Sequence, residues 1–249
     1  MSFASIENCT LRFGEKIVLK NCSLEIKEHA ITCLIGLSGA GKSTILRLLN
    51  GLRQPDEGRV IVKGIDIASL PNRDLVDFRR HIGFAFQFAA LFDSLSVGDN
   101  VAMPLREHTR MSPSEIDKVV NATLESVGLE NVRERFPSEL SGGMLKRAGF
   151  ARAVVNNPEL VLYDEPTTGL DPIITHVLTD TIKRLRRQLN GTAVVVSHDL
   201  GSIYAMADYV AMLFEGAIIA YGTVEELQNS PNPIVQQFLQ GSEVGPIPL

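Results

Sequence analysis

GLSGAGKST, residues 36–44, stands between the apolar run AITCLI (30–35) and the helix-like TILRLLNGL (44–52). The pattern G-x-x-x-x-G-K-[ST] between a buried strand and a helix reads as a phosphate loop. Ordinary residue frequencies produce that pattern in only on the order of one chain per hundred of this length. Gly36, Ser38, Gly39, Ala40 and Gly41 would turn backbone N–H groups onto an anion, and the helix N-terminus behind them favours negative charge. Lys42 would reach the β- and γ-phosphates of a nucleotide, Ser43 would ligate Mg2+, and Thr44 would add a phosphate contact.

On the N-terminal side, ASIENCTLRF (4–13) and KIVLKNCSLEI (16–26) read as strands of an antiparallel edge leading into the buried strand. On the other side RVIVKGIDI (59–67) is a strand pair, Pro71 opens a short helix through DLVDFRR, and HIGFAFQ (81–87) returns to strand. From about 88 to 156 strand-like runs disappear and three helical patterns take over. In SPSEIDKVVNATLESVG (112–128) Ser112 and Glu115 have capping-box spacing, Pro113 sits at the first helical position, and Gly128 stops the helix. Strands then alternate with helices: LVLYDE (160–165), a helix from Pro172 to about Leu189, TAVVVSH (192–198), a short helix, and YVAMLF (209–214). That alternation predicts an α/β fold with a mainly parallel sheet, helices on both faces, an antiparallel β edge and an inserted helical subdomain. The expected domains are residues 1–240, with the insertion at about 88–156, and a C-terminal tail at 241–249.

Composition excludes several classes. The 249 residues are 45% hydrophobic and 21% charged, as in an ordinary globular protein. A formal charge of −5 gives no support for binding nucleic acid through bulk electrostatics. Cys9, Cys22 and Cys33 form no CxxC pair and read as reduced core thiols. MSFASIENCTLRF places acidic and polar residues where a signal peptide needs an apolar run. YVAMLFEGAIIAYG (209–222) is too short and too interrupted, by Glu215 and two glycines, to span a membrane. The expectation is a soluble, cytoplasmic protein that reaches a membrane only through a partner.

Three further features carry chemistry. LVLYDEP (160–166) ends a strand in two carboxylates: Asp164 would hold Mg2+ through its water shell, and Glu165 would orient and polarise an attacking water. His198 ends a parallel strand on the edge where open α/β sheets place ligands; His29, His81, His108 and His176 read as surface or packing residues. LSGGMLKRAGFARA (140–153) puts Ser141, Gly142 and Gly143 at a helix start, a second phosphate-binding arrangement.

Taken in order, GLSGAGKST, Gln87, LSGGM, LVLYDEP, TGLDP and His198 resemble the ATP-binding cassette ATPases along nearly the whole chain. In that family two subunits face each other head to tail, with each ATP between one subunit's phosphate loop and the other's LSGG segment. The resemblance therefore implies that Ser141, Gly142 and Gly143 hold the partner copy's γ-phosphate. It also implies that Phe13 stacks on adenine, against the bland reading of a strand core residue. Gln87 would contact Mg2+ and the attacking water while reporting to the transport partner, and Asp171 would link the two facing sites. The family's usual LSGGQ reads LSGGM here, which removes one side-chain contact and keeps Ser141 and the backbone N–H groups.

FAALFDSLSVGDNVAMPLREHT (88–109), LSGGM, and the ending PNPIVQQFLQGSEVGPIP (231–248) resemble the Mla/Mce-type lipid-transport ATPases. That resemblance implies phospholipid movement between inner and outer membranes, an integral membrane permease, an Mce-domain protein, a small STAS-domain protein, and a place on the cytoplasmic face of the inner membrane. The insertion around Leu91–Val101, with PLREHT behind it, would receive the permease, and Phe92 is the expected anchor. The residues alone stop at ATPase. A cassette for a small solute such as an amino acid shares every feature outside the insertion and tail. Soluble non-transport cassettes commonly carry long coiled coils or tandem cassettes, and neither occurs here.

Overall fold

The computed structural model describes residues 1–248, so the last residue of the expected 241–249 tail lies outside the described residues. β1 (Ser2–Phe13) and β2 (Lys16–Lys27) pair antiparallel, with Ile6 opposite Leu24, Cys9 opposite Cys22 and Leu11 opposite Leu19. All six are buried; Ile6 and Cys9 are an odd number of residues apart, as are Leu19 and Cys22, and the register irregularity there, with Asn8 (φ 51°) and Asn21 (φ 46°), restores them to the buried side. β4 (Glu57–Val62) and β5 (Ile65–Asp66) complete a separate antiparallel sheet in the order β2-β1-β4-β5.

The main sheet contains β3 (Ile31–Ile35), β6 (Ile82–Ala85), β7 (Leu160–Asp164), β8 (Thr192–Val196), β9 (Tyr209–Phe214) and β10 (Ala217–Gly222). Its order is β10-β9-β3-β8-β7-β6, and every pairing except the β9–β10 hairpin is parallel. The central strands are apolar on both faces because both are covered. Cys33, Tyr163, Val195 and Met212 face one core, packed by α3 (Val97–His108), α4 (Pro113–Ser126), α5 (Gly142–Val154), α6 (Pro172–Leu189) and α7 (Leu200–Met206). Leu34, Leu162, Val194 and Leu213 face the other, shared with α1 (Lys42–Leu49) and the antiparallel sheet. Burying each such aliphatic side chain contributes about 1.5–3 kcal/mol, so the sheet is fixed by its flanking layers as much as by its hydrogen bonds.

The helical insertion lies between β6 and β7, as the pattern predicts. α4 begins with a full capping box: Glu115 N–H donates to Ser112 Oγ at 3.4 Å, and Ser112 N–H donates to the Glu115 carboxylate at 2.7 Å. Gly128, with φ +71°, ends it. α2 (Asn72–Arg79) starts one residue later than expected, with Pro71 as its N-cap. The apolar stretch at 209–222 is a hairpin: Glu215 (φ 47°) and Gly216 (φ 79°) make the two-residue turn between β9 and β10, where positive φ at both positions is required.

α8 (Val224–Gln228) and α9 (Pro233–Gln240) close the chain. The tail folds back on α9, where buried Gln237 accepts the Ile247 N–H at 2.7 Å and donates to Ser242 O at 3.2 Å. The three cysteines are free and buried, and burial pushes the Cys22 thiol up to about 11. Among the described residues no helix is long and apolar enough to cross a membrane.

Candidate active site

The phosphate loop after β3, Gln87 beyond β6, Asp164 and Glu165 at the end of β7, and His198 beyond β8 all sit at the carboxyl edge of the parallel strands. There a cavity of about 440 Å³ lies beside a second of about 610 Å³, and the larger one is lined by Ser38, Gly39, Gly41, Lys42, Ser43 and Thr44. Phe13, Gln87, Glu165 and His198 face the same space.

Glycine is needed in the loop for two different reasons. Gly36 has φ +139°, and a Cβ there would stand 2.1 Å from the Leu213 carbonyl oxygen of β9. Gly39 has φ +76° with nothing within 4 Å of its missing Cβ, so it leaves the cradle open. Ala40 packs on the core beneath. Lys42 is 8% exposed and donates to Gly36 O at 2.8 Å and Leu37 O at 2.9 Å. Its ammonium is thus curled into its own loop, where a nucleotide's phosphates would compete for it. Burial pulls its pKa down, and the charges of Glu165 and Asp164 oppose that shift.

Ser43 Oγ donates to Asp164 Oδ1 at 2.9 Å, joining residues 121 positions apart. Burial raises the Asp164 pKa, partly countered by this bond. A hydroxyl and a carboxylate side by side, with the Gln87 side in the same cavity, are the hard oxygen donors that suit Mg2+. That ion takes one or two protein groups and completes its shell with phosphate and water. Among the described residues no cluster of three His, Cys, Asp or Glu forms an all-protein metal cage.

Glu165 has φ 49° and is pinned to β8 by its N–H bond to Val196 O at 3.0 Å. Its Oε2 accepts from Thr168 Oγ1 at 2.9 Å and pairs with His198 Nδ1 at 2.8 Å. The carboxylate is 15% exposed and the imidazole 61%, so the histidine holds the acid from the solvent side. Phe13 is 43% exposed at the mouth of the cavity, its ring 4.8 Å from the Arg53 guanidinium carbon. It is not a strand core residue.

The residues expected to form a second phosphate contact lie elsewhere: Ser141, Gly142 and Gly143 do not line the phosphate-loop cavity. Ser141 caps α5, accepting the Met144 N–H at 3.4 Å. Gly143 lies against α6, where a Cβ would come within 2.6 Å of Ile174 Cγ2. The Met144 side chain packs on the core. Asp171 caps α6 by accepting the N–H groups of Ile173 at 2.9 Å and Ile174 at 3.0 Å.

Three residues escape a reading of the sequence. Lys146 of α5 is 8% exposed and donates to the backbone carbonyls of Gln87 and, at 3.3 Å, Glu165. Arg152 donates to Ala89 O at 2.8 Å and Ala90 O at 2.6 Å, holding two residues whose φ values are +59° and +51°. Fully buried Asn100 accepts the Phe92 N–H at 2.7 Å and donates to the carbonyls of Phe92, Leu95 and Ser96. It thereby presents Phe92, 53% exposed, at a cavity of about 390 Å³ that Phe86, Met103, Pro104 and His108 also line. Val101 is buried in the insertion's core, Leu91 packs against that core, and Leu95 is half-buried.

A family model described as "ABC transporter" matches residues 19–168, which takes in the phosphate loop, Gln87, LSGGM and LVLYDEP. This chain belongs to the ABC transporter family. It is an ATP-hydrolysing cassette of that family. Over 242 residues it is 43% identical to the intermembrane phospholipid transport system ATP-binding protein MlaF of Haemophilus influenzae, covering 97% of this chain and 92% of that one. MlaF of Escherichia coli K12 is 41% identical over 94% of this chain and 87% of its own. The probable ribonucleotide transport ATP-binding protein mkl of Mycobacterium leprae is 39% identical over 97% of this chain and 70% of its own. Among solved structures, the dimeric post-hydrolysis state of the ATP-binding cassette MJ0796 bound to ADP and Pi has a TM-score of 0.82 and 34% identity. It covers 89% of this chain and 98% of that one. The ABC cassette cbiO1 of Clostridium perfringens, part of the cbiONQ transporter complex, has a TM-score of 0.84 and 27% identity, over 92% and 91% of the two chains.

Proposed function

We propose that this cassette works as a head-to-tail pair on a membrane permease and drives phospholipid transport between inner and outer membranes. The observation that carries the paired arrangement is the separation of the two phosphate-binding elements. LSGG stands at an α5 N-terminus outside the phosphate-loop cavity, so within one chain it has no phosphate to serve. The cargo rests on 41–43% identity to proteins named for intermembrane phospholipid transport.

In this reading Phe13 stacks on adenine, and the loop N–H groups with Lys42 take the phosphates in place of the Gly36 and Leu37 carbonyls. Ser43, Asp164 and Gln87 hold Mg2+, which supplies neutralisation of phosphate charge when bound. Glu165, fixed by Thr168 and His198, orients a water and accepts its proton as that water attacks the γ-phosphate. Ser141, Gly142 and Gly143 of the second copy close over that phosphate, and Asp171 links the two sites. Residues 1–240 form the ATPase domain, its insertion at about 88–156 carrying the permease groove, and 241–249 form a tail. An Mce-domain protein and a STAS-domain protein complete the assembly on the cytoplasmic face of the inner membrane.

Two measurements test this. A mixed pair of one Ser141→Arg chain and one Lys42→Ala chain puts both lesions in one composite site and neither in the other, so the mixed pair should hydrolyse ATP measurably where each variant paired with itself does not. Inactivity of the mixed pair refutes the head-to-tail arrangement. With the co-purified permease in vesicles, phospholipid should stimulate turnover; stimulation by ribonucleotide instead would move the cargo to that of the mkl proteins.

A further inference from the structure

α5 carries more than the LSGG segment at its start. Lys146, Gly149 and Arg152 recur every third residue, on successive turns facing the loop that follows β6. Gly149 lets that loop approach, since a Cβ there would stand 3.1 Å from Ala89 Cβ. Arg152 holds the Ala89 and Ala90 carbonyls, and Lys146 holds that of Gln87. Lys146 alone also reaches a second loop, through the Glu165 carbonyl.

The chemistry of Lys146 is costly for a structural residue. Lys146 is 8% exposed, and among the described residues its ammonium hydrogen-bonds only to those two carbonyls, while burial pulls its pKa down against the charges of Glu165 and Asp164. A buried cation with no carboxylate hydrogen-bonded to it is costly, and an apolar side chain of the same length would fill the space at less cost. Lys146 is five positions beyond Ser141, about 7.5 Å of helix rise, with neither proline nor glycine between Gly143 and Lys146 to bend it.

We propose that Lys146 is a positioning residue coupling the two nucleotide sites of the pair. It passes the placement of the LSGG segment, which serves the partner copy's nucleotide, to Gln87 and Glu165, which serve the chain's own. This rests on the composite-site reading above. When the partner copy's phosphate draws the α5 N-terminus into place, Lys146 moves with it. The Gln87 and Glu165 backbones then settle where the water attacks, so each site fires faster once the other is closed.

The test uses the full chain with its co-purified permease and compares Lys146→Met, Lys146→Gln and Lys146→Arg. Lys146→Met should bind ATP analogue within about twofold of wild type and lower kcat by roughly ten- to a hundredfold. Its KM should change little and its Hill coefficient for ATP should fall towards one. Lys146→Arg, which keeps a charged donor, should recover part of both. Unchanged kcat and Hill coefficient in Lys146→Met overturn the proposal. So does loss of folding in both Lys146→Met and Lys146→Gln, which would make the residue structural only. Ser141→Arg, run in parallel, separates the two readings. If it still hydrolyses ATP, the composite site itself fails; if it is inactive while Lys146→Met is normal, only the coupling fails.

Discussion

Replacing Gly36 and Gly39 by alanine, one at a time, separates the glycine that the fold needs from the glycine that the ligand needs. At Gly36 the new methyl would lie 2.1 Å from a backbone oxygen of β9, more than 1 Å inside contact distance, and β9 is held by β3 on one side and β10 on the other. Relief must come from the backbone. Overpacking of that kind costs about 1–3 kcal/mol, and alanine at φ +139° adds about 1–3 kcal/mol of strain. The sum is about 4 kcal/mol, a large part of the roughly 5–15 kcal/mol that holds a domain together. At Gly39 only the φ strain applies, about 1 kcal/mol, because no atom lies within 4 Å. Urea unfolding followed by circular dichroism should therefore show a large drop in midpoint for Gly36→Ala and a small one for Gly39→Ala, with equal slopes. Nucleotide titration should show the reverse for the folded Gly39→Ala, whose methyl projects into the cradle: affinity should fall at least tenfold. Equal losses of stability in the two variants, or a loss below about 1 kcal/mol for Gly36→Ala, would refute the reasoning.

Glu165→Gln should keep ATP affinity while turnover falls about a hundred- to ten-thousandfold, since an amide keeps the shape but accepts no proton; near-normal steady-state hydrolysis would remove Glu165 as the base. Phe92→Asp should leave the fold and nucleotide binding of the free chain intact and weaken permease co-purification at least tenfold. Unaltered co-purification takes Phe92 out of that interface. Asp164 has a folded pKa above its unfolded value, so the folded state binds more protons between the two and its stabilising contribution is lost as pH rises through the folded pKa. Asp164→Asn should flatten that part of the stability curve and raise Tm at pH 7 while abolishing Mg2+-dependent turnover. A lower Tm at pH 7 would mean that the Ser43 bond outweighs burial.

Legibility in the sequence followed the range of the interaction. The phosphate loop, the α4 capping box and the LVLYDEP strand are each written in a few consecutive residues, and each stands where it was expected. The Ser43–Asp164 bond is legible only as two motifs that the fold then brings together. Phe13 sits at the end of β1, where alternation no longer separates core from surface, so only the cavity decides its surroundings. Lys146 leaves no trace because its acceptors are backbone carbonyls, which every residue owns. Asn100 is hidden likewise, on the buried face of an amphipathic helix where a buried amide has no sequence marker. The β9–β10 hairpin is obscured because its turn uses Glu215 in place of the usual Asn or Asp.

β6 and β7 are parallel neighbours, Ala85 lying opposite Tyr163, and α5 is the last helix of the chain between them. α5 is therefore the crossover helix of a β–α–β unit, and its C-terminal end is tied to the sheet through the few residues before Leu160. It cannot slide as a free body. It can tilt about that tether, and with 13 residues it is an arm of about 20 Å. A tilt of about 10° would sweep its serine tip through an arc of about 3 Å, the span of one hydrogen bond, and far less near the fulcrum. The fold thus grants the widest travel to the end that meets another copy's phosphate, and almost none to the end buried beside the sheet.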